Sequence, residues 1–322
     1  MDKFSPLFWP ARFKQGVIWC LDEMALPRRM RWLRADNLPQ AISLIKNMHT
    51  RAFGQVLMAY YIFLLLLEKV RGKAPLRQMV ALNRAARAIN ESRPTFPFAF
   101  FTGMVLGWAD AAQKDGGDIS LLLRKKIDGF LQGLRQARIR QAEKLSKIII
   151  RRKALLTHCN VSGSLVLAAQ FCRRQNKDLR FFVTETRPYL QGARLSAWEL
   201  SRAGFEVTVI PDSAVAWLMG QGRVDAVVVG ADQLAQNGDI ANKIGTYQIA
   251  LLAKRFNLPF YALCPPRSAA KSGRDIRIEL RPQKELLEFC GRRIAPQKAQ
   301  GLYPAFDITP ADLITRRIEL TI

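Results

Sequence analysis

A thiol and a carboxylate occupy equivalent places in this chain. Cys159 closes the apolar run Ala154-Leu-Leu-Thr-His-Cys159, and Asp232 stands just beyond Asp225-Ala-Val-Val-Val-Gly230. Short, β-branched, apolar runs read as strands buried on both faces of a parallel sheet. In an open parallel sheet, ligands bind in the crevice outside the carboxyl ends of the strands. Both side chains therefore stand where chemistry would occur. Cys159 precedes the turn Asn160-Val-Ser-Gly-Ser164, which opens a helical pattern. A helix N-terminus favours the thiolate and lowers a thiol pKa. A carboxylate at a strand end serves as general acid or base when burial raises its pKa. Cys20, Cys172, Cys264 and Cys290 have no comparable setting and read as structural.

The elements that must position these groups follow a regular pattern. Apolar runs at Ala154–Cys159, Arg180–Thr184, Glu206–Ile210, Asp225–Gly230 and Phe260–Cys264 alternate with helical stretches. Five strands so spaced predict a right-handed, doubly wound, Rossmann-like α/β domain. Glu185, Thr186, Arg187 and Asp212 then also fall at strand ends. The stretch carrying Asn237, Gly238, Asp239, Asn242 and Lys243 reads as a polar loop before the next helix. Upstream, the chain reads as helical. Asp36 is expected to cap a helix over Leu38–His49. Helices over Leu76–Glu91, Phe98–Gln113 and Ile119–Ile150 follow, with breaks at Gly72-Lys-Ala-Pro75, Arg93-Pro94 and Gly116-Gly117. The residues before Asp36 read as a short β-rich cap with Val17–Leu21 as a strand. The organisation expected is a mainly helical N-terminal domain over residues 1–150 and a Rossmann-like catalytic domain over 151–322.

Composition narrows the function. A length of 322 residues suits two domains. The formal net charge is +24, shared between the two halves. It fits either an anionic partner such as a phosphorylated sugar, a nucleotide or RNA, or a solvated basic surface. No RNP-like aromatic motif, zinc knuckle or basic zipper is present, so nucleic acid is not the favoured partner. Five cysteines lack CxxC spacing and there are two histidines, which argues against zinc. An odd cysteine count and a start, MDKFSPLFWPARFK, without a signal-peptide core lead to the expectation of a reducing, cytoplasmic setting. The longest apolar run, Phe53–Leu67, contains Gln55 and is shorter than the roughly 20 residues that span a bilayer, so it reads as a buried core helix and no membrane association is expected.

Several longer blocks carry a family resemblance. They are Thr157-His-Cys-Asn160, Glu185-Thr-Arg-Pro188 with Leu190-Gln-Gly-Ala-Arg-Leu195, Gly230-Ala-Asp232, Asn237-Gly-Asp-Ile-Ala-Asn-Lys-Ile-Gly-Thr246 and Pro304-Ala-Phe-Asp-Ile-Thr-Pro310. They resemble the methylthioribose-1-phosphate isomerase family, whose relatives are ribose-1,5-bisphosphate isomerase and the regulatory subunits of translation initiation factor 2B. The match is dense from about Leu155 to Leu313 and thinner upstream, where Leu21-Asp22, Met48–Arg51 and Ser92-Arg-Pro-Thr95 fit.

The resemblance implies an aldose–ketose isomerase of methionine salvage that converts a sugar 1-phosphate, 5-methylthioribose 1-phosphate in the main family, to the ketose 1-phosphate. It implies Cys159 and Asp232 as the catalytic pair. Arg51, Ala52, Phe53, Arg93, Gln191, Asn242 and Lys243 fall on positions that hold the sugar phosphate and hydroxyls. Independently, arginine offers a bidentate clamp and lysine a point charge for phosphate. No metal and no cofactor are implied, and a cytoplasmic homodimer is. The alternative the resemblance allows is a non-catalytic sensor of a phosphorylated ligand, of the initiation factor 2B type, or ribose-1,5-bisphosphate isomerase. The chain departs from the family pattern in three places: Arg51-Ala-Phe-Gly54 for Arg-Gly-Ala-Pro, Arg93-Pro-Thr-Phe-Pro-Phe-Ala99 for Arg-Pro-Thr-Ala-Val-Asn-Leu, and Pro265-Pro-Arg-Ser-Ala-Ala270 where Ser-Thr and an acid are usual. Gln233 also replaces a basic residue. The lost glycine and the bulk of Phe53 are expected to narrow the phosphate end of the pocket.

Overall fold

The computed structural model describes residues 5–149, 151 and 153–321. Met1–Phe4, Ile150, Arg152 and Ile322 lie outside the described residues, and with them the expected helix end at Ile150. The chain forms two compact units, one from Pro6 to Gln136 and one from Ala137 to Thr321 that takes in Ser5.

The first unit opens with an antiparallel sheet of β1 (Ala11–Lys14), β2 (Val17–Leu21) and β3 (Trp32–Ala35), as the β-rich cap required. Helices α1 (Leu38–Lys46), α2 (Ala52–Val70), α3 (Pro75–Ser92) and α4 (Phe98–Lys114) follow, and α5 (Ile119–Ile149) carries the chain into the second unit without a linker. The cap of α1 is Asn37 rather than Asp36: its side chain accepts the Gln40 N–H at 3.0 Å. Asp36 instead accepts from the Asn37 amide at 3.0 Å. Helix α2 is apolar on most of its faces, as a largely buried helix must be, and carries exposed Glu68 and Lys69 near its end. It has 19 residues with a mean hydropathy of 1.5, so length alone does not exclude a membrane span; what marks it as a core helix is that 72% of its most apolar stretch is buried inside the protein. Tyr60 lies tilted against Phe130 at 4.8 Å and meets Phe101 edge-on at 6.3 Å. A fully buried side chain of this helix, such as Leu57 or Phe63, contributes about 1.5–3 kcal/mol of transfer free energy.

The second unit is built on a parallel sheet. Its strands are β4 (Ala154–Thr157), β5 (Arg180–Thr184), β6 (Glu206–Ile210), β7 (Ala226–Gly230), β10 (Phe260–Cys264) and β14 (Arg316–Glu319), in the spatial order β14-β10-β7-β4-β5-β6. The chain starts in the middle at β4, winds outward to β6, then returns to β7 on the other side of β4. Strands β4, β7 and β10 are buried along both faces, as their unbroken apolar runs require. The sixth strand, β14, escaped the sequence pattern because Arg-Arg-Ile-Glu buries one residue at the sheet edge. Helices α6 (Ser164–Arg173), α7 (Ala197–Arg202), α8 (Val215–Gly220) and α9 (Thr246–Arg255) make the crossovers. Leu156, Val227, Val229 and Ala262 share one core with Leu218 of α8 and Ile249 and Ala253 of α9.

The polar stretch after Asp232 is not a loop throughout. Strands β8 (Gln233–Leu234) and β9 (Ile240–Lys243) fold back antiparallel, and β9 pairs with β13 (Phe306–Thr309) in a separate small sheet. A short helix α10 (Lys284–Leu287) and the hairpin β11 (Glu288–Phe289) and β12 (Arg292–Arg293) lie between β10 and β13.

Candidate active site

Strands β4 and β7 lie side by side and parallel, with Leu155 opposite Ala226 and Leu156 opposite Val227. Cys159 stands two residues beyond the end of β4 and Asp232 two residues beyond the end of β7. Between these strands the winding reverses, and the carboxyl edge of such a reversal is where open α/β sheets hold ligands. Thus the topology brings the expected thiol and carboxylate to one sheet edge. Cys159 is half-buried, with a left-handed backbone at φ 63°. Its N–H donates to Thr186 Oγ1 at 2.9 Å and its carbonyl accepts from Ser196 Oγ at 2.6 Å. Asp232 is exposed, contrary to the burial its acid–base role was expected to draw on. Its N–H donates to the Ala241 carbonyl at 2.8 Å, which ties the main chain at Asp232 to β9.

His158, not singled out from sequence, is a structural anchor for Cys159. It is buried, with Nε2 2.9 Å from the Ile244 carbonyl and Nδ1 2.6 Å from Thr184 Oγ1. A carbonyl only accepts, so Nε2 carries the proton and Nδ1 of the neutral ring accepts from Thr184. Burial holds the imidazole pKa below its ordinary value, in keeping with a neutral ring.

Gln191, Asn242 and Lys243 belong to this unit too, and all three are buried. Gln191 precedes a π-helical turn, Gly192–Ser196. That turn lies so close to β5 that a Cβ on Gly192 would sit 1.8 Å from the Thr184 carbonyl. Only glycine permits the approach that carries Gln191 inward. The Gln191 side-chain carbonyl is buried without a hydrogen-bond partner among the described residues. Asn242 lies opposite Asp307 and Lys243 opposite Phe306 in the β9–β13 pairing. Asn242 Nδ2 donates to Thr246 Oγ1 at 3.0 Å. The Lys243 ammonium faces the Phe306 ring at 4.9 Å and the Tyr303 ring at 5.8 Å. Aromatic faces stabilise a desolvated cation. Tyr303, missed from sequence, has a buried hydroxyl with no hydrogen-bond partner among the described residues, and burial pushes its phenol pKa up. The only sequence signal was its position one residue before the Pro304–Pro310 block. Buried unpaired polar atoms are rare in native proteins, and a bound ligand is one of their ordinary explanations.

The remaining expected residues, Arg51, Ala52, Phe53 and Arg93, lie in the helical unit. They are not on a loop: Arg51 is the N-cap of α2, and Ala52 and Phe53 are its first residues. Phe53 meets the Trp9 ring edge-on at 5.6 Å. At Gly54 an added Cβ would fall 1.8 Å from Thr50 Oγ1, so the glycine is needed for close packing. Glu23, buried, accepts from Thr50 Oγ1 at 2.5 Å and from the Arg51 N–H at 3.1 Å. Burial pushes its carboxyl above the ordinary carboxylate range. Arg93, at the end of α3, donates to Gln55 Oε1 at 3.1 Å, and Gln55 Nε2 donates to the Thr50 carbonyl at 3.0 Å. Gln55 therefore links the two arginine-bearing helix ends. Among the described residues, no group of three or more His, Cys, Asp or Glu side chains gathers to hold a metal.

A thiol and a carboxylate past the ends of adjacent strands, with a buried amide and an aromatic-boxed lysine in the same unit, make this sheet edge the candidate site of a Rossmann-like domain. The chain belongs to the initiation factor 2 subunit family, whose model matches residues 56–319. It is 34% identical over 317 residues to a methylthioribose-1-phosphate isomerase of Chloroflexus aurantiacus, covering 94% of this chain and 91% of that one. Its fold matches the crystal structure of 5-methylthioribose 1-phosphate isomerase from Pyrococcus horikoshii with a TM-score of 0.84 and 30% identity, over 99% of this chain and 94% of that one. It also matches translation initiation factor eIF-2B, subunit delta, from A. fulgidus, with a TM-score of 0.81 and 28% identity over 96% and 94%.

Proposed function

We propose that the protein is an aldose–ketose isomerase that converts 5-methylthioribose 1-phosphate to the corresponding ketose 1-phosphate, a step of methionine salvage. The observation that carries this reading is the placement of Cys159 and Asp232 past the carboxyl ends of the adjacent strands β4 and β7. The reaction moves one hydrogen from C2 to C1 and leaves the phosphate on C1. The ring oxygen must gain a proton on opening, and the 2-hydroxyl must lose one as the ketone forms. A single carboxyl group can serve both transfers and end each cycle as it began, and Asp232 is the candidate. Cys159 is assigned to the hydrogen transfer between C2 and C1. Lys243 supplies a point charge for the phosphate, with Gln191 and Asn242 toward the sugar hydroxyls. Arg51 and Arg93 are assigned to phosphate binding, and Ala52 and Phe53 flank Arg51. No step in this scheme requires a cofactor.

A non-catalytic sensor of a phosphorylated ligand is the second reading, supported by the likeness to the eIF-2B delta subunit. It gives no reason for a thiol and a carboxylate at the same sheet edge. Turnover of 5-methylthioribose 1-phosphate by the purified protein, measured beside ribose 1,5-bisphosphate, separates the readings. Activity on the first confirms the proposal, activity on the second alone reassigns the substrate, and activity on neither favours the sensor. We also propose a homodimer in a reducing cytoplasm. Exposed Trp217 on α8 and Leu251 on α9 support the first, and five unpaired cysteines the second. Light scattering tests the oligomer.

A further inference from the structure

The turn that presents Cys159 is strained. Cys159, Ser162 and Gly163 have φ of 63°, 46° and 78° within five residues. A non-glycine residue in this region costs of order 1–3 kcal/mol and persists only where its surroundings impose it. Those surroundings converge on one acid. Ser196 Oγ has a single proton and gives it to the Cys159 carbonyl at 2.6 Å, so it accepts from Asn160 Nδ2 at 2.9 Å. The Asn160 amide also donates to Glu199 Oε1 at 2.8 Å, while Asn160 Oδ1 accepts the Ser162 N–H at 2.9 Å. Glu199 Oε2 accepts from Ser5 Oγ at 2.8 Å, and the Gly163 N–H is a further donor to the carboxylate. Glu199 is 3% exposed on α7. Among the described residues, the hydrogen bonds at the Glu199 carboxylate are donated to it, which favours its ionised form.

We propose that ionised Glu199 is a positioning residue for Cys159, locking Asn160 and, through Ser196, the Cys159 carbonyl, so that reactivity at the thiol depends on a proton carried by neither reacting group. This rests on the reading that Cys159 does chemistry. The groups facing Glu199 are Ser5, the Asn160 amide, the Gly163 N–H from the turn, and the Arg138 guanidinium of α5, which acts on it by charge and itself donates to the Ser162 carbonyl at 2.6 Å. Burial outweighs these partners and pushes the Glu199 pKa up to about 7. Protonation therefore falls inside the working range, and it removes an acceptor from a set of donors that need one.

The test uses the whole protein with Glu199→Gln and Glu199→Asp. Two readouts are taken between about pH 5.5 and 8.5, a window that brackets the ionisation. One is kcat and KM. The other is alkylation of Cys159 by iodoacetamide, scored peptide by peptide so that exposed Cys290 is counted apart. For the wild type, kcat should fall about tenfold per pH unit below an ionisation near 7. Glu199→Gln should lose that limb and lie at least about tenfold lower at the alkaline end, with KM within about twofold. Glu199→Asp should keep the limb and recover part of the rate. The ratio of wild-type to Glu199→Gln alkylation rates at Cys159 should shift at least about fivefold across the range. A Glu199→Gln protein with an unchanged kcat or an intact limb overturns the proposal, as does a constant alkylation ratio. If that variant does not fold, Ser196→Ala removes the hydroxyl between Asn160 and the Cys159 carbonyl. It should lower both rates at least about fivefold, and unchanged rates overturn the proposal. Turnover kept by Cys159→Ala sinks the role assigned to the thiol instead, and the alkylation ratio then still decides on Glu199.

Discussion

The two units hold their candidate residues by different means. In the sheet unit, Cys159 and Asp232 are delivered by backbone topology: two adjacent parallel strands end, and the next residues fall at the reversal point. In the helical unit, Arg51 and Arg93 are delivered by side chains. Buried Glu23 fixes the N-terminus of α2, and Gln55 bridges from the Thr50 carbonyl to the guanidinium of Arg93. Topology tolerates substitution, because strand pairing is made by the main chain. A side-chain bridge fails with the loss of one group. The chemistry proposed for the first scaffold and the phosphate contacts proposed for Arg51 and Arg93 on the second should therefore respond to mutation differently.

The largest expected effect is on chemistry. Cys159→Ala and Asp232→Asn should each lower turnover by at least about a hundredfold, the usual range for a lost acid–base or transfer group. Their melting temperatures should stay near the wild-type value, because the strand ends do not depend on these side chains. Near-normal turnover in either variant would remove that residue from the reaction.

Next comes binding. Lys243→Ala and Arg93→Ala, made in a Cys159→Ala background to block turnover, should weaken substrate binding in calorimetry by about 1.5–3 kcal/mol for a lost charged hydrogen bond. Equal losses from the two units would show that both take part in phosphate recognition. A loss at Lys243 alone would confine recognition to the sheet unit.

Gln55→Leu tests the side-chain bridge. It removes the hydrogen bonds that Gln55 makes to the buried Thr50 carbonyl and to Arg93, so urea unfolding should show a loss of about 1–3 kcal/mol. An unchanged midpoint would mean that the helix ends are held by packing alone.

A pH dependence reports on the buried acids of the sheet unit. Burial raises Glu199 from an ordinary 4.5 to about 7 and Asp307 from 3.8 to about 6 in the sheet unit. The folded state then binds protons that the unfolded chain has released. Stability from these groups is complete below the ordinary values and is lost as pH rises through the folded ones. Glu199→Gln should accordingly gain stability relative to the wild type as pH rises from 4.5 to about 7. A flat difference between the two melting curves would show that Glu199 is not raised. That the ionised acid weakens the fold while holding the thiol in place is the exchange of stability for function common at active sites.

The smallest effect is expected at Phe53. Its ring faces Trp9 at the start of a helix. Phe53→Ala tests this ring contact and the expected narrowing of a phosphate pocket together. Phe53→Ala should cost about 0.5–1.5 kcal/mol of stability beyond the lost buried area, with little change in catalytic efficiency. A marked gain in efficiency would restore the crowding argument.

Local pattern determined much of this protein. Alternating apolar runs and helical stretches set five strands of the parallel sheet, the helices of the first unit and, by the rule of the sheet edge, the places of Cys159 and Asp232. These depend on neighbours in the chain, whose periodicity is visible in any window of residues. Tertiary structure decided the rest. Asn242 and Lys243 lie on a strand because β9 pairs with β13, some sixty residues later, as Asn242 does with Asp307. Strand β14 exists because it adds to the edge of β10. Tyr303 boxes Lys243, Gln55 reaches Arg93, and Glu199 supports the turn of Cys159 only after distant segments have packed. A hydrogen bond between residues far apart in the chain leaves no local period behind it, so these partners became legible only once the chain had closed on itself.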